Sequence, residues 1–555
     1  MKKIIANPFF LVILLSLLPL WALFVPGLPL THDGTDHVAR IANFYQSLSE
    51  GNIIPRWAAN LNFGYGHPIL MFLYPLPSYL ASAFHAIGFS LVDSVKIVFG
   101  TAFLVSAVTM YLWLSQEFGK KAAIVGTLLY QFAPYRFVDL YVRGDLGEHV
   151  AFIFPPLAMY FLLIISKSRT IRKRILPMIG LAFSVAGLIL AHNAIAIMFL
   201  PIIALYGFYL LFRTKDFWLF LIQNVVAVTA GFGISAFFWI PALIEGKYTL
   251  REIVTAGVAL TRFVSWSSFI YSPWSYGGTT DLSKSIGIFQ WVGVIVAVIL
   301  FIRFPKLKHT VFGWGTAIVF ILSLFIMTSS SAFLWIHIRL LQDFQFPWRF
   351  LAIPVFVTSV LGALAVEHVF LIFHKNENGT GFTVMTVICV LIVVSTFFMW
   401  HPDSYVVRSD SRYSGIYLGT TDTGESSPIW SIRNMGHVAA ALSQVISGEA
   451  TIVTGKRTTT THEYTMTVIK PSRILENTLY FPGWTVYVDG VATNLQWQDP
   501  AYRGLMTYTI TPGTHAVLVR FENTKLRKYS TLLTIVTVSI IVMAGISSVL
   551  WKEKS

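Results

Sequence analysis

The stretch "GYGHPILMFLYPLPSYLASAFHAIG", residues 64–88, decides how the chain is threaded. It is apolar enough to pass for a membrane helix, yet it carries Pro68, Pro75 and Pro77, which suit a regular helix poorly. Around it the composition is that of a membrane protein. Of 555 residues, 55% are hydrophobic and only 12% charged, against about a quarter charged in soluble domains. Apolar runs able to cross roughly 30 Å of hydrocarbon recur along most of the chain. They fall at about 8–27, 93–115, 121–141, 149–166, 175–192, 194–212, 218–243, 287–303, 311–328, 350–373, 381–400 and 530–551.

If 69–89 does not cross, one alternation places every short basic cluster on the same side. These are Lys2 and Lys3; Lys120 and Lys121; Lys167, Arg169, Arg172, Lys173 and Arg174; Arg213 and Lys215; Arg303, Lys306 and Lys308; Lys375; and Lys552 and Lys554. If it crosses, all clusters after the first move outside, against the orientation bias. The segment therefore reads as lying in the outer interface. Twelve crossings follow, with both termini cytoplasmic and the protein in the cell membrane. The net charge of +14 is explained by these loops, so the charge gives no reason to expect a nucleic-acid partner. The N-terminal run reads as an uncleaved first helix. The only cysteine, Cys389, sits in an apolar run and excludes an intrachain disulfide.

This threading puts the loops 28–92, 141–149, 244–286 and 329–349 outside, together with a polar region at 401–527. There, "EYTMTVI", "TVYVDG", "MTYTI" and "HAVLVRF" alternate and are separated by turn residues. The expected fold is a polytopic α-helical membrane protein, with a membrane domain at 1–400, a small extracytoplasmic β-sandwich at 401–527 and a closing helix at 528–555. The sequon at 378–380 falls on the cytoplasmic side and is expected to carry no glycan.

Two acidic-histidine sets reach the outer face. "THDGTDHVAR" (31–40) follows the first span and opens an amphipathic interfacial helix whose apolar stripe, Val38, Ile41, Phe44, Tyr45 and Leu48, is expected to lie on lipid. It offers Asp33, Asp36, His37 and Arg40. "YVRGDLGEH" (141–149) offers Arg143, Asp145, Glu148 and His149. Carboxylates at a membrane boundary are solvated, paired or used. Capping the next helix is the plain alternative for Asp145 and Glu148. His192 and Asn193 read as satisfying backbone groups in a turn. The aromatics Trp266, Tyr271, Trp274 and Tyr276 read either as sugar-stacking faces or as an interfacial belt. The sequence has no Walker loop, Rossmann fingerprint or HExxH motif.

"HDGTDHVAR" (32–40) and "GNIIPRWAANLNFGYGHPILMFLYPLPSYL" (51–80) resemble a bacterial membrane family described as 6-pyruvoyl-tetrahydropterin-synthase-related. "FQFPWRFL" (344–351) and "LYFPGWTVYVDG" (479–490) also resemble it. That family resembles the GT-C superfamily of integral-membrane glycosyltransferases. The resemblance implies transfer of a sugar from a polyprenyl-phosphate carrier to an envelope glycan, lipid or protein acceptor at the bilayer's outer face. It implies Asp33 as the base, with Asp36 as second choice. Asp145 and Glu148, with Asp33, would hold Mg²⁺ or Mn²⁺ or orient the acceptor, supported by His37 and His149. Arg349 would receive the carrier phosphate, with Arg56 and Arg143 as lesser candidates. Its plain alternative is a cation marking the start of the tenth span. Two other functions compete: a transporter or flippase of lipid-linked glycan, and a non-catalytic envelope protein that binds glycan.

Overall fold

The computed structural model describes residues 8–168, 170–277, 281–373 and 379–553. Lys2, Lys3, Arg169, Lys375, Lys554 and Asn378 of the sequon lie outside these ranges.

Proline governs the deciding stretch. Pro68 opens a single 3₁₀ turn, Pro68–Met71, and Pro75 and Pro77 frame the start of helix Leu76–Ala86. Eleven residues rise only about 17 Å at 1.5 Å each, roughly half of what a crossing needs. Among the described residues, eight helices are long and apolar enough to cross: Leu91–Phe118, Leu146–Lys167, Lys173–Ala191, Asn193–Leu211, Phe217–Ile234, Thr310–Met327, Pro347–Ile372 and Lys525–Ser548. Three shorter apolar helical segments, Phe9–Phe24, Ile288–Arg303 and Thr383–Met399, match three more expected runs.

The expected span at 121–141 is not one helix. Helix Lys120–Gln131 stops, a short turn Pro134–Phe137 follows, and the chain widens into a π-helical turn at Val138–Arg143. Pro134 cannot continue the hydrogen-bond ladder, and π-turns recur at functional sites. Here the break carries Arg136, Asp139 and Arg143, all buried.

One end of the bundle gathers the loops assigned above to a single side. Glu117, buried, accepts from Tyr206 Oη at 2.9 Å and from Arg213 Nη1 at 2.8 Å. His309 bridges Glu117 at 3.3 Å and Glu367 at 3.0 Å. The two acidic-histidine sets lie away from this network.

The polar C-terminal region forms one antiparallel sheet of six strands, not two packed sheets. Its strands are β3 (Ser443–Arg457), β4 (Thr461–Leu479), β5 (Trp484–Val488), β6 (Val491–Ala492), β7 (Leu505–Ile510) and β8 (Gly513–Phe521), after a two-residue ladder of β1 (Leu28–Pro29) with β2 (Tyr405–Val406). The order is β3-β4-β8-β5-β6. β4 pairs with β3 along one edge and is long enough to serve two partners on the other, with Thr461–Val468 against β8 and Ser472–Leu479 against β7. Its alternation holds: Tyr464, Met466 and Val468 are buried.

A sheet with one apolar face needs a cover. The first loop supplies it. Trp57, Tyr65, Met71 and Phe72 join the same apolar core as Met466, Val486 and Val519, with Trp57 edge-on to Trp484 at 5.4 Å. Residues 405–435 also return to that loop, through Asn62 N–H to Gly419 O (2.6 Å) and Tyr417 N–H to Asn60 O (2.8 Å). The apolar stripe after Asp33 meets protein: Val38, Ile41 and Phe44 are fully buried.

Candidate active site

Helix Gly34–Ser49 starts directly after Asp33. The chain entering it lies along the broken helix: His32 N–H donates to Val142 O (3.0 Å) and Asp33 N–H to Arg143 O (2.8 Å). Two glycines permit this. Gly144 has φ +68°, and a Cβ there would meet Thr31 Oγ1 at 2.1 Å; a Cβ on Gly147 would meet the Tyr74 ring at 1.9 Å. The two acidic sets, far apart in sequence, are joined backbone to backbone.

Arg143 is the hub. It is buried, and its Nη1 donates to Glu148 Oε2 at 2.6 Å, Asp139 Oδ1 at 3.0 Å and Tyr135 Oη at 3.0 Å. Its Nη2 donates to Asp145 Oδ2 at 2.8 Å, and the guanidinium sits over Trp348 at 4.7 Å. Asp145 caps the following helix by accepting Glu148 N–H (3.0 Å), and it also accepts Tyr74 Oη at 3.1 Å. Tyr135 Oη donates to Glu148 Oε1 at 2.7 Å. His192 Nδ1 accepts Ile195 N–H, the backbone role expected of it, while its Nε2 faces Asp145 at 3.6 Å. Tyr74 stacks on that imidazole at 4.6 Å.

The electrostatics separate the two aspartates. Asp33 is only partly buried. Its pKa is raised, first by lost hydration and then by Asp145, while Arg143, Arg40 and Arg349 pull the other way. For Asp145 burial opposes the charge, yet His192 and Arg143 hold its carboxyl well below the ordinary range. Two carboxyl groups with pKa values driven apart have the form of an acid–base assignment. His37 is buried and is lowered to about 3 by burial and by Arg40. It stays neutral, accepting Leu146 N–H at 3.4 Å.

Asp36, one turn along, faces elsewhere: it accepts Tyr417 Oη at 2.6 Å. Arg40 spans both faces. It lies in the field of Asp33, and it donates from Nε to Thr421 Oγ1 (3.0 Å) and from Nη2 to Thr421 O.

Arg349 joins the cluster. Its Nη1 donates to Phe344 O (3.0 Å), its guanidinium lies over Phe346 at 5.0 Å, and its Nε has no hydrogen-bond partner among the described residues. His149 packs against Phe103 at 5.8 Å and faces Asp139 at 3.4 Å. Trp274 lies in the segment whose Tyr276 O accepts His32 Nε2 at 2.9 Å, bordering the site. Trp266 is 51% exposed, with its ring against Phe269, outside the cluster. Arg56 is also elsewhere: its Nη2 donates to Phe237 O (3.2 Å), and burial beside Arg527 lowers it to about 10. Tyr74, Tyr135 and Asp139 belong to the site and were not singled out from sequence. Only Asp139 left a signal there, as an acid inside an apolar run four residues before an arginine.

Residues 70–402 match the family model described as 6-pyruvoyl-tetrahydropterin synthase related domain; membrane protein. An uncharacterised protein of Lactococcus lactis subsp. cremoris (strain MG1363) is 24% identical over 258 residues, 43% of this chain and 40% of that protein. The chain thus spans about two fifths of the curated relative it matches. Arabinofuranosyltransferase AftD from Mycobacteria is 13% identical, with TM-score 0.46, over 72% of this chain and 27% of that one. ArnT from Cupriavidus metallidurans bound to undecaprenyl phosphate is 13% identical, with TM-score 0.40, over 69% of each chain. The Archaeoglobus fulgidus oligosaccharyltransferase tethered with an acceptor peptide is 16% identical, with TM-score 0.43, over 75% of this chain and 56% of that one.

Proposed function

This chain belongs to the 6-pyruvoyl-tetrahydropterin synthase related family of membrane proteins, and from that premise we propose that it is an integral-membrane glycosyltransferase. It moves a sugar from a polyprenyl-phosphate carrier to an envelope acceptor at the outer face, with twelve crossings, one of them the broken stretch 120–143, both termini cytoplasmic and the sheet domain outside. One observation carries the reading. Asp33 and Asp145, from segments more than a hundred residues apart, meet among Arg40, Arg143 and Arg349 with their pKa values displaced in opposite directions.

The chemistry assigns each group a task. The acceptor hydroxyl gives its proton to the Asp33 carboxylate as its oxygen bonds to the anomeric carbon. The bond from that carbon to the carrier phosphate breaks, and its electron pair leaves on the phosphate. Arg349, whose Nε has no hydrogen-bond partner among the described residues, meets that charge. Arg143 fixes Asp145 and Glu148 and takes no part in the proton transfer. Asp36 becomes an acceptor-side residue.

The divalent cation expected from sequence fits this arrangement poorly. Ligand atoms of Asp145, Glu148 and His192 lie within 4.8 Å of one another, a set in which His192 replaces Asp33. Yet both oxygens of Asp145 and both of Glu148 already accept protein donors, the Arg143 guanidinium among them. No step is derived through a metal.

Deletion of the gene tests the reading at the level of the cell. The carrier-linked sugar pool is expected to grow and the envelope acceptor to lose that sugar. An unchanged pool together with an intact acceptor would refute it.

A further inference from the structure

A cavity of about 610 Å³ opens on the Asp36 face of helix Gly34–Ser49, one turn from Asp33. It is separate from the Arg143 cluster but connected to it through Arg40, whose guanidinium grips Thr421 on the cavity wall. Its volume suits a small ligand. The wall is mixed: Phe63, Ile416, Leu418 and Met435 supply an apolar part, and the Asp36 carboxylate with its Tyr417 partner, residues 420–422 and Asn434 supply a polar one. Its rim carries Arg408 and Arg412, both exposed, whose side chains make no hydrogen bond or ion pair among the described residues.

Backbone strain marks the same place. Six described non-glycine residues hold positive φ, and three surround this cavity: Asn62 (φ 53°), Phe63 (φ 62°) and Thr421 (φ 63°). Phe63 and Thr421 line it, and Asn62 Oδ1 accepts the N–H of Met435, another lining residue, at 2.9 Å. A β-branched residue in the left-handed region is a genuine outlier, and such strain persists where the surroundings impose it, often at ligand clamps.

We propose that this cavity binds the acceptor as a saccharide bearing a phosphate or carboxylate group. Asp36 and Asn434 receive sugar hydroxyls, and Arg408 and Arg412 clamp the anion through paired hydrogen bonds. The two acids on the wall already accept protein donors, Asp36 from Tyr417 and Asp422 from the N–H groups of Gly424 and Ser426, whereas the guanidinium groups of Arg408 and Arg412 have no side-chain partner among the described residues. The inference rests on the transferase reading only for the word acceptor; binding of the saccharide is measurable without transfer.

The test uses the full chain in phosphatidylcholine nanodiscs, titrated calorimetrically with glucose 6-phosphate, glucuronic acid, glucose and inorganic phosphate. The two anionic sugars are expected to bind at least about tenfold tighter than glucose or phosphate, with affinity falling as salt rises. R408Q/R412Q should bring them to the level of glucose. D33N, whose transfer is expected to be lost, should still bind them. Equal affinity for glucose, or a double variant that binds as wild type, would overturn the proposal. Phosphate binding as tightly as glucose 6-phosphate would make this a bare anion site, such as one for lipid headgroups, and would also overturn it. Loss of transfer activity alone would touch only the catalytic reading.

Discussion

Replacing Arg143 by methionine gives the most informative stability prediction. The methionine keeps apolar contact with Trp348, where the guanidinium now sits 4.7 Å from the ring. It removes the one cation bonded to Asp139, Asp145 and Glu148, at 3.0, 2.8 and 2.6 Å. All three carboxylates are buried. Breaking one buried ion pair from one side costs about 3–5 kcal/mol, and Asp145, held low by His192 and Arg143, forms such a pair, so the loss should reach that range near neutral pH. The pH dependence has a definite sign. In the wild type His192 and Arg143 hold Asp145 low against the pull of burial. Without Arg143 burial gains ground, and the folded state holds protons more tightly than before. The penalty is therefore full above the displaced pKa and fades as pH falls through it. Thermal unfolding in detergent, followed by tryptophan fluorescence at pH 8 and pH 5, should show R143M well below wild type at pH 8, with a smaller gap at pH 5. A variant that melts with wild type at pH 8, or a gap that widens at pH 5, would refute the hub assignment.

Gly147→Ala should force the Tyr74 ring off Asp145, because the new Cβ would stand 1.9 Å from it; a loss of about 1–3 kcal/mol is expected, against about 1 kcal/mol for Tyr74→Phe, which removes only the hydroxyl. Denaturation of the two variants side by side checks the order. Because the Asp33 pKa is raised, the acid limb of the transfer rate should fall at a pH above the usual aspartate range, as protonation removes the base. A pH–rate profile with its acid limb at the ordinary value near 3.8 would contradict that. His309→Ala, at the far end of the bundle, leaves Glu117 and Glu367 without their shared imidazole; lower thermal stability with unchanged transfer per folded molecule is expected.

Much of this was legible in the chain because local rules dominate where it was. Three prolines in 64–88 are enough to deny a crossing helix, and strict alternation in 462–468 predicts which of those side chains face a core. The break at 132–143 was not legible, since its apolar residues imitate a span, while Arg136 and Asp139 inside it are tolerated through partners contributed by other helices. Arg136, for example, lies over the Phe152 ring at 4.2 Å and donates to Ser106 at 2.8 Å. The second sheet was expected from the number of alternating strands. The structure replaces it with Trp57, Tyr65 and Phe72, aromatics of a loop that gave no periodic signal. The choice between Asp33 and Asp36 also lay beyond the sequence. Both open the same helix, and only the docking of residues 142–146 against one face makes them different. Arg56 was a lesser candidate because a guanidinium pairs with phosphate, and sequence could not tell that the fold places it beside Glu245 and Arg527.

The most direct measurement is sugar transfer from a polyprenyl-phosphate donor by D33N and D36N, each purified, folded and assayed beside wild type. General-base catalysis contributes about 10²–10⁴-fold, so D33N should lose at least a hundredfold in kcat with little change in donor affinity, while D36N keeps turnover and weakens acceptor binding. Full turnover in D33N, or the larger kcat loss in D36N, would contradict the account.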